Sequence, residues 1–169
     1  MIIKNQGKTV KKIDTPKLNQ FHRELHSFLS NCESINALKN FIEKYHDLAI
    51  CITEQYGEFV AVNHAFTELY GYSKDELLGE HCTMVVPPKY KPLAVEYHNQ
   101  VVRSRQLMPT VCVNCNKKGE NIVLIIAPIS YQDPDTGKLF IVSALEPKRR
   151  QMNGSSNQAD LERKLASVI

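Results

Sequence analysis

The sequence predicts an α+β domain: a five-stranded antiparallel sheet with helices on one face, preceded by an N-terminal amphipathic helix or helix pair. Three observations lead there. Apolar residues recur at helical spacing in the first part of the chain and at strand spacing from Leu48 onward. Two strand-like runs are then separated from three later ones by short helical stretches and one longer helix. Gly57, Gly119 and Gly137 sit in polar turns between successive strand-like runs, the short connections that antiparallel neighbours use.

Residues 1–15 are rich in Lys, Asn and Gln without apolar periodicity, and are expected to form a mobile basic leader. In residues 16–46, Leu18, Phe21, Leu25, Phe28, Cys32, Ile35 and Ile42 fall on an a/d heptad pattern, interrupted where Lys39 takes an a position. Ser30 and Glu33 have capping-box spacing, so this segment reads as one helix or as two broken near Asn31. Its stripe has two equally weighted partners: the chain's own domain, or a second copy in a homodimer through residues 18–42.

Residues 48–53 and 58–62 read as a hairpin around the turn at residues 55–57. Residues 63–70 are helical, with Asn63 able to bond nearby backbone and start the helix and Gly71 allowing a turn with positive φ after it. Ser73 with Glu76 caps a second short helix that Gly79 stops. Pro87 and Pro88 lead into a longer helix over residues 90–104, where Leu93, Tyr97, Val101 and Val102 recur at helical spacing. Strands follow over residues 110–116, 121–130 and 139–145. The sheet domain is bounded at residues 47–147, and residues 148–169 are expected to be a basic, polar tail.

Composition agrees with a globular domain, at 43% hydrophobic and 23% charged residues. Charge is unevenly placed. Residues 1–17 carry a net +4, residues 147–169 a net +3, and the middle a net −4. A nucleic-acid binder would place its basic surface on the folded part, so nucleic acid is not the expected partner; a transcription-associated regulator using the basic ends is the alternative. The longest apolar run, residues 122–127, cannot span a bilayer, and the first residues lack the apolar core of a secretory signal. The expectation is a cytoplasmic protein without membrane contact, whose five cysteines are reduced thiols.

One pattern is specific. Gly57, Val62, Asn63, Ala65 and Phe66, then Leu69, Gly71, Tyr72, Ser73, Glu76, Leu77, Leu78 and Gly79, resemble in type and spacing the opening half of a PAS domain. The stretch from Lys117 to Gly119 and the run Ala127, Pro128, Ile129 resemble its second half, so the likeness covers residues 46–147. The resemblance implies a single PAS domain acting as a sensor or protein-interaction module in signal transduction. Such modules hold a small ligand, a cofactor or nothing between the sheet and the long helix, and commonly dimerise through flanking helices. No catalytic activity is expected, because no Ser or Cys stands in an elbow with spaced acid and base partners. The signal would leave through an unidentified signalling protein or a second copy.

Haem-binding members place a histidine near the start of the long helix. Here that position is Ala94, with His98 one turn further along the same face, which argues against haem. Light-sensing, flavin-binding members place a cysteine where this chain has Cys82. The neighbours differ: His81 stands for Asn, Thr83 for the phosphate-binding Arg, and Val86 for Gln. Asn114 matches one of two ring-reading asparagines; the other is Leu124 or Ile122, and the glutamine of the last strand corresponds to Ala144. Polar ring edges left unpaired would cost about 1–3 kcal/mol each, so flavin is not expected either. Cys112 and Cys115 have C-x-x-C spacing, but an offset of three on a strand sends them to opposite faces, and no metal site is expected. The candidate pocket lining is Met84, Leu93, Tyr97, His98, Val101, Leu124, Ile126 and Ile141, with Asn114 and Ser143 as polar handles. It suits a small apolar ligand, and it suits a filled core equally well.

Overall fold

The computed structural model describes residues 15–105 and 109–148, so the expected leader up to residue 14 and the expected tail from residue 149 lie outside the described residues. The chain runs α1 (Pro16–Leu29), α2 (Ile35–Ile42), β1 (Ala49–Glu54), β2 (Phe59–Val62), α3 (His64–Tyr70) and α4 (Lys74–Leu77). Two 3-10 turns at Cys82–Val85 and Pro88–Tyr90 lead to α5 (Lys91–Ser104), and β3 (Thr110–Cys115), β4 (Asn121–Gln132) and β5 (Leu139–Pro147) complete the chain. One antiparallel sheet forms in the order β2-β1-β5-β4-β3. The first hairpin therefore docks against the last strand. That makes β5 central, and its residues from Leu139 to Leu145 are accordingly buried without a break.

The period-2 alternation of the strands divides the core. Ile50, Ile52, Phe140, Val142 and Ala144 point to one face, where α1 and α2 cover them. Ala49, Cys51 and Leu145 point to the other, under α3, α4 and the first 3-10 turn, while Ile141 packs beneath α5. The helices that follow the first hairpin share one face, as expected. The N-terminal pair takes the opposite face, so the sheet is covered on both sides.

This placement gives the a/d stripe to the first of its two expected partners, the chain's own domain. Leu18, Phe21 and Leu25 of the a/d stripe are 1%, 1% and 0% exposed within a single chain, which leaves none of them for a second copy. Phe21 meets Tyr45 edge-on at 5.0 Å between ring centroids, and Phe28 stacks on Phe41 at 4.2 Å. The physical reason is that the outer face of β1 and β5 is itself an apolar surface that needs cover, and the tethered helix reaches it at high effective concentration.

The break between α1 and α2 is real, but its cap is not the expected one. Ser30 is in right-handed helical geometry and its hydroxyl donates back to the His26 carbonyl at 3.1 Å, closing α1. Ser34, extended at φ −161°, accepts from the Ala37 N–H and starts α2. The other caps form as read. Ser73 and Glu76 make the reciprocal capping box of α4, and Gly71 closes α3 in the left-handed region at φ +74°.

Asn63 does more than start α3. Its carbonyl oxygen accepts from the Phe66 and Ile50 N–H groups, both at 3.0 Å. Its amide nitrogen donates to the carbonyls of Tyr45 at 2.8 Å, Leu48 at 2.9 Å and Ile42 at 3.3 Å. One fully buried side chain thus joins the end of α2, the start of β1 and the start of α3.

Candidate functional site

Between α5 and the inner face of the sheet lies a cavity of about 620 Å³. Its floor is Cys51 and Thr53 from β1, Ile141, Ser143 and Leu145 from β5, Ile126 and Pro128 from β4, and residues 110–114 of β3. Phe59, Phe66, Cys82, Val85 and Val86 close one side. Leu93, Ala94, Tyr97, His98 and Val101 of α5 form the roof, with Lys89, Glu96 and Gln100 also on its boundary. The cavity persists because α5 places small or half-exposed groups over the sheet near its start. Leu93 is 44% exposed, while Val101, a little over two turns on, is buried against Leu139 and Ile141.

Of the residues predicted to line the pocket, Leu93, Tyr97, His98, Asn114 and Ser143 surround this cavity, with Val101, Ile126 and Ile141. Leu124 and Met84 do not. Leu124 is fully buried in the cluster of Phe66, Tyr70 and Leu77, and Met84 packs against that same cluster. Sequence reasoning missed the β1 wall and the grouping of three thiols around the cavity. Cys51, Cys82 and Cys112 arrive from β1, a 3-10 turn and β3 to face one space. Sequence spacing holds no signal for that convergence; the strand order and the placement of the first 3-10 turn create it. Burial pushes the Cys82 thiol up to about 11 and Cys112 up to about 12, and raises Cys51 further, so all three are neutral near pH 7.

The polar handles are already engaged in part. The Asn114 amide donates to the Tyr70 hydroxyl at 2.5 Å, and both groups are buried. The His98 Nε2 lies 3.1 Å from the Gln55 carbonyl, and since a carbonyl only accepts, that nitrogen carries the proton. His98 thereby fastens α5 to the β1–β2 turn. At that turn Gly57 adopts φ +100°, and a Cβ there would lie 2.5 Å from the His81 ring.

Burial holds His98 below its usual range, opposed by its contacts with the Gln55 and Glu54 backbone and by Glu58, and assisted by His81. A histidine kept neutral in the fold contributes stability that is present above its unfolded pKa of about 6.5 and is lost as pH falls toward its lower folded value. Acidification from about pH 7.5 to about pH 5 is therefore expected to lower the urea midpoint of the wild type more than that of His98→Gln. Parallel pH profiles for the two proteins would refute it.

A family model described as PAS domain matches residues 47–146, more than half of the chain. The chain belongs to the PAS domain family. A blue-light-activated histidine kinase of Erythrobacter litoralis is 26% identical over 111 residues, covering 64% of this chain and 31% of the kinase, so the chain spans about a third of that relative's length. Among solved structures, a PAS domain from Colwellia psychrerythraea aligns with a TM-score of 0.59 at 14% identity, covering 69% of this chain and 98% of that one. The LOV domain of a blue-light-activated histidine kinase from Erythrobacter litoralis aligns at 0.54 and 20% identity, covering 63% and 100%. These structures share the fold. As a PAS domain, the protein is a signal-sensing module of signal transduction.

The cofactors that PAS domains carry can be tested against this donor set. Haem does not fit. Ala94, at the expected ligand position, offers no donor, and the Nε2 of His98 is a protonated donor to Gln55 rather than a free lone pair. The flavin pattern is incomplete. One N–H of Asn114 is taken by Tyr70, Leu124 is apolar and packed away from the cavity, and Thr83 supplies no cation for a phosphate, the boundary's cation being the exposed Lys89. The expected match of Ala144 to the last-strand glutamine is corrected by the register of β5. Ala144 faces α1 and α2, and the cavity-facing neighbours are Ser143 and Leu145, neither of which is an amide. Cys112 and Cys115 lie on one regular strand, paired with Leu124 and Asn121, so their side chains do not converge. Among the described residues no group of His, Cys, Asp or Glu is arranged to hold a metal ion, and no helix is long and apolar enough to cross a membrane.

Proposed function

We propose that this PAS domain is a non-catalytic, cytoplasmic sensor that takes up a small apolar ligand between α5 and the sheet and reports its occupancy to a signalling partner. The observation that carries this is the cavity itself, of about 620 Å³ and lined mainly by apolar side chains and protonated thiols. Its size suits a small organic molecule. Occupancy would act through α5, which roofs the cavity and is fastened by His98 to the β1–β2 turn. A ligand that favours one position of α5 shifts the population toward it. A homodimer through residues 18–42 would have to use the outward face of α1, where Gln20, Arg23, Glu24 and Ser27 are exposed, because the apolar stripe is buried within the chain.

Native mass spectrometry and an absorption spectrum on the same purified sample test the proposal. The expected result is a colourless protein whose native mass exceeds the denatured mass by one small molecule. Visible absorption bands from haem or flavin would overturn it.

A further inference from the structure

Two buried side-chain polar atoms among the described residues have no hydrogen-bond partner, and one is the hydroxyl of Tyr97, whose ring lines the cavity. An unpaired buried hydroxyl costs about 1–3 kcal/mol, a cost that phenylalanine would avoid at the same position. Its surroundings define what could satisfy it. Burial raises the phenol's pKa, so it is present as an O–H that can donate. The nearby thiols of Cys51, Cys82 and Cys112 are likewise held protonated. The boundary's charged groups stand at its solvent rim: Glu96 is bound by Arg103 at 2.8 Å and is more than half exposed, and Lys89 is exposed with its ammonium over the Tyr90 ring. An ion entering this space would lose hydration without gaining a buried counter-charge.

We propose, on the basis of the ligand-binding reading above, that the cavity selects neutral molecules with an apolar body and one hydrogen-bond acceptor, which receives the Tyr97 hydroxyl. The aromatic rings of Phe59 and Phe66 and the three sulfurs suit an aromatic body, since sulfur packs favourably at ring edges.

Calorimetric titration of the full chain with acetophenone, its near-isostere α-methylstyrene, and benzoate tests this. Acetophenone is expected to bind, and Tyr97→Phe to weaken it about five-fold while leaving α-methylstyrene unchanged or tighter. Benzoate is expected to bind at least about ten-fold more weakly than acetophenone. A Tyr97→Phe effect equal for the two neutral probes, or benzoate binding as tightly as acetophenone, would overturn the selectivity and leave the ligand-binding reading standing. Failure of both neutral probes to bind the wild type would overturn both. The infrared carbonyl stretch of acetophenone bound to the wild type needs no variant: a shift to lower frequency supports the Tyr97 bond, and an unshifted band refutes it.

Discussion

Replacing Asn63 by alanine is expected to destabilise the domain by about 3–4 kcal/mol, read as a lower urea midpoint at unchanged m-value. The side chain is completely buried and engages five backbone groups, one each in α2, β1 and α3 and two in the segment that joins α2 to β1. Alanine would remove the N-cap of α3, worth about 1 kcal/mol. It would also leave the Ile50 N–H and the Tyr45 and Leu48 carbonyls short of partners in a dry site, and those losses make up the larger part. Asn63→Asp separates the two. It retains an acceptor for the Phe66 and Ile50 N–H groups and removes both amide hydrogens that reach the carbonyls. If capping were the whole role, Asp would be nearly neutral. The structure instead predicts a loss comparable to that of alanine, because a carboxylate would face carbonyl oxygens.

Phe21→Ala is expected to cost about 3–5 kcal/mol, with an unfolding midpoint that does not change with protein concentration. Phe21 is fully buried, and its ring packs against Tyr45 and Phe41 over the outer face of the sheet. Removing it would open a cavity within one chain. Were α1 instead the seam of an obligate dimer, the same substitution would change the association state and the midpoint would rise with concentration. A far-ultraviolet urea melt at two concentrations about a hundred-fold apart distinguishes the cases. The exposed Lys17–Asp47 ion pair, at 2.7 Å, also joins α1 to the segment before β1. A surface pair contributes about 1 kcal/mol or less, so the apolar stripe is the principal attachment.

Local structure was readable wherever it depends on near neighbours. The capping box at Ser73 and Glu76, the left-handed closure at Gly71 and the strand alternation are set by spacings of a few residues, and each appears in the fold. The break after α1 was also readable, but its cap was misplaced by four residues. Ser30 and Ser34 both offer a hydroxyl, and only the backbone conformation decides which one caps. The cavity was readable in part. Tyr97, His98, Asn114 and Ser143 were found because they lie on the expected inward faces of α5, β3 and β5. Leu124 shares that face and still lies elsewhere, packed beneath α3 and α4, because which section of the inner face each helix covers is a matter of three-dimensional placement.

The sequence by itself determined the family, the order of the elements and the face of each strand, because periodicity, caps and turns act over a few residues and repeat along the chain. Tertiary structure alone decided three things. It turned an ambiguous a/d stripe into cover for the outer sheet face. It brought three thiols from distant segments to one cavity. It also left the Tyr97 hydroxyl without a partner inside that cavity. Each depends on contacts between residues far apart in sequence, and on competition between surfaces that is settled only when the whole sheet has closed.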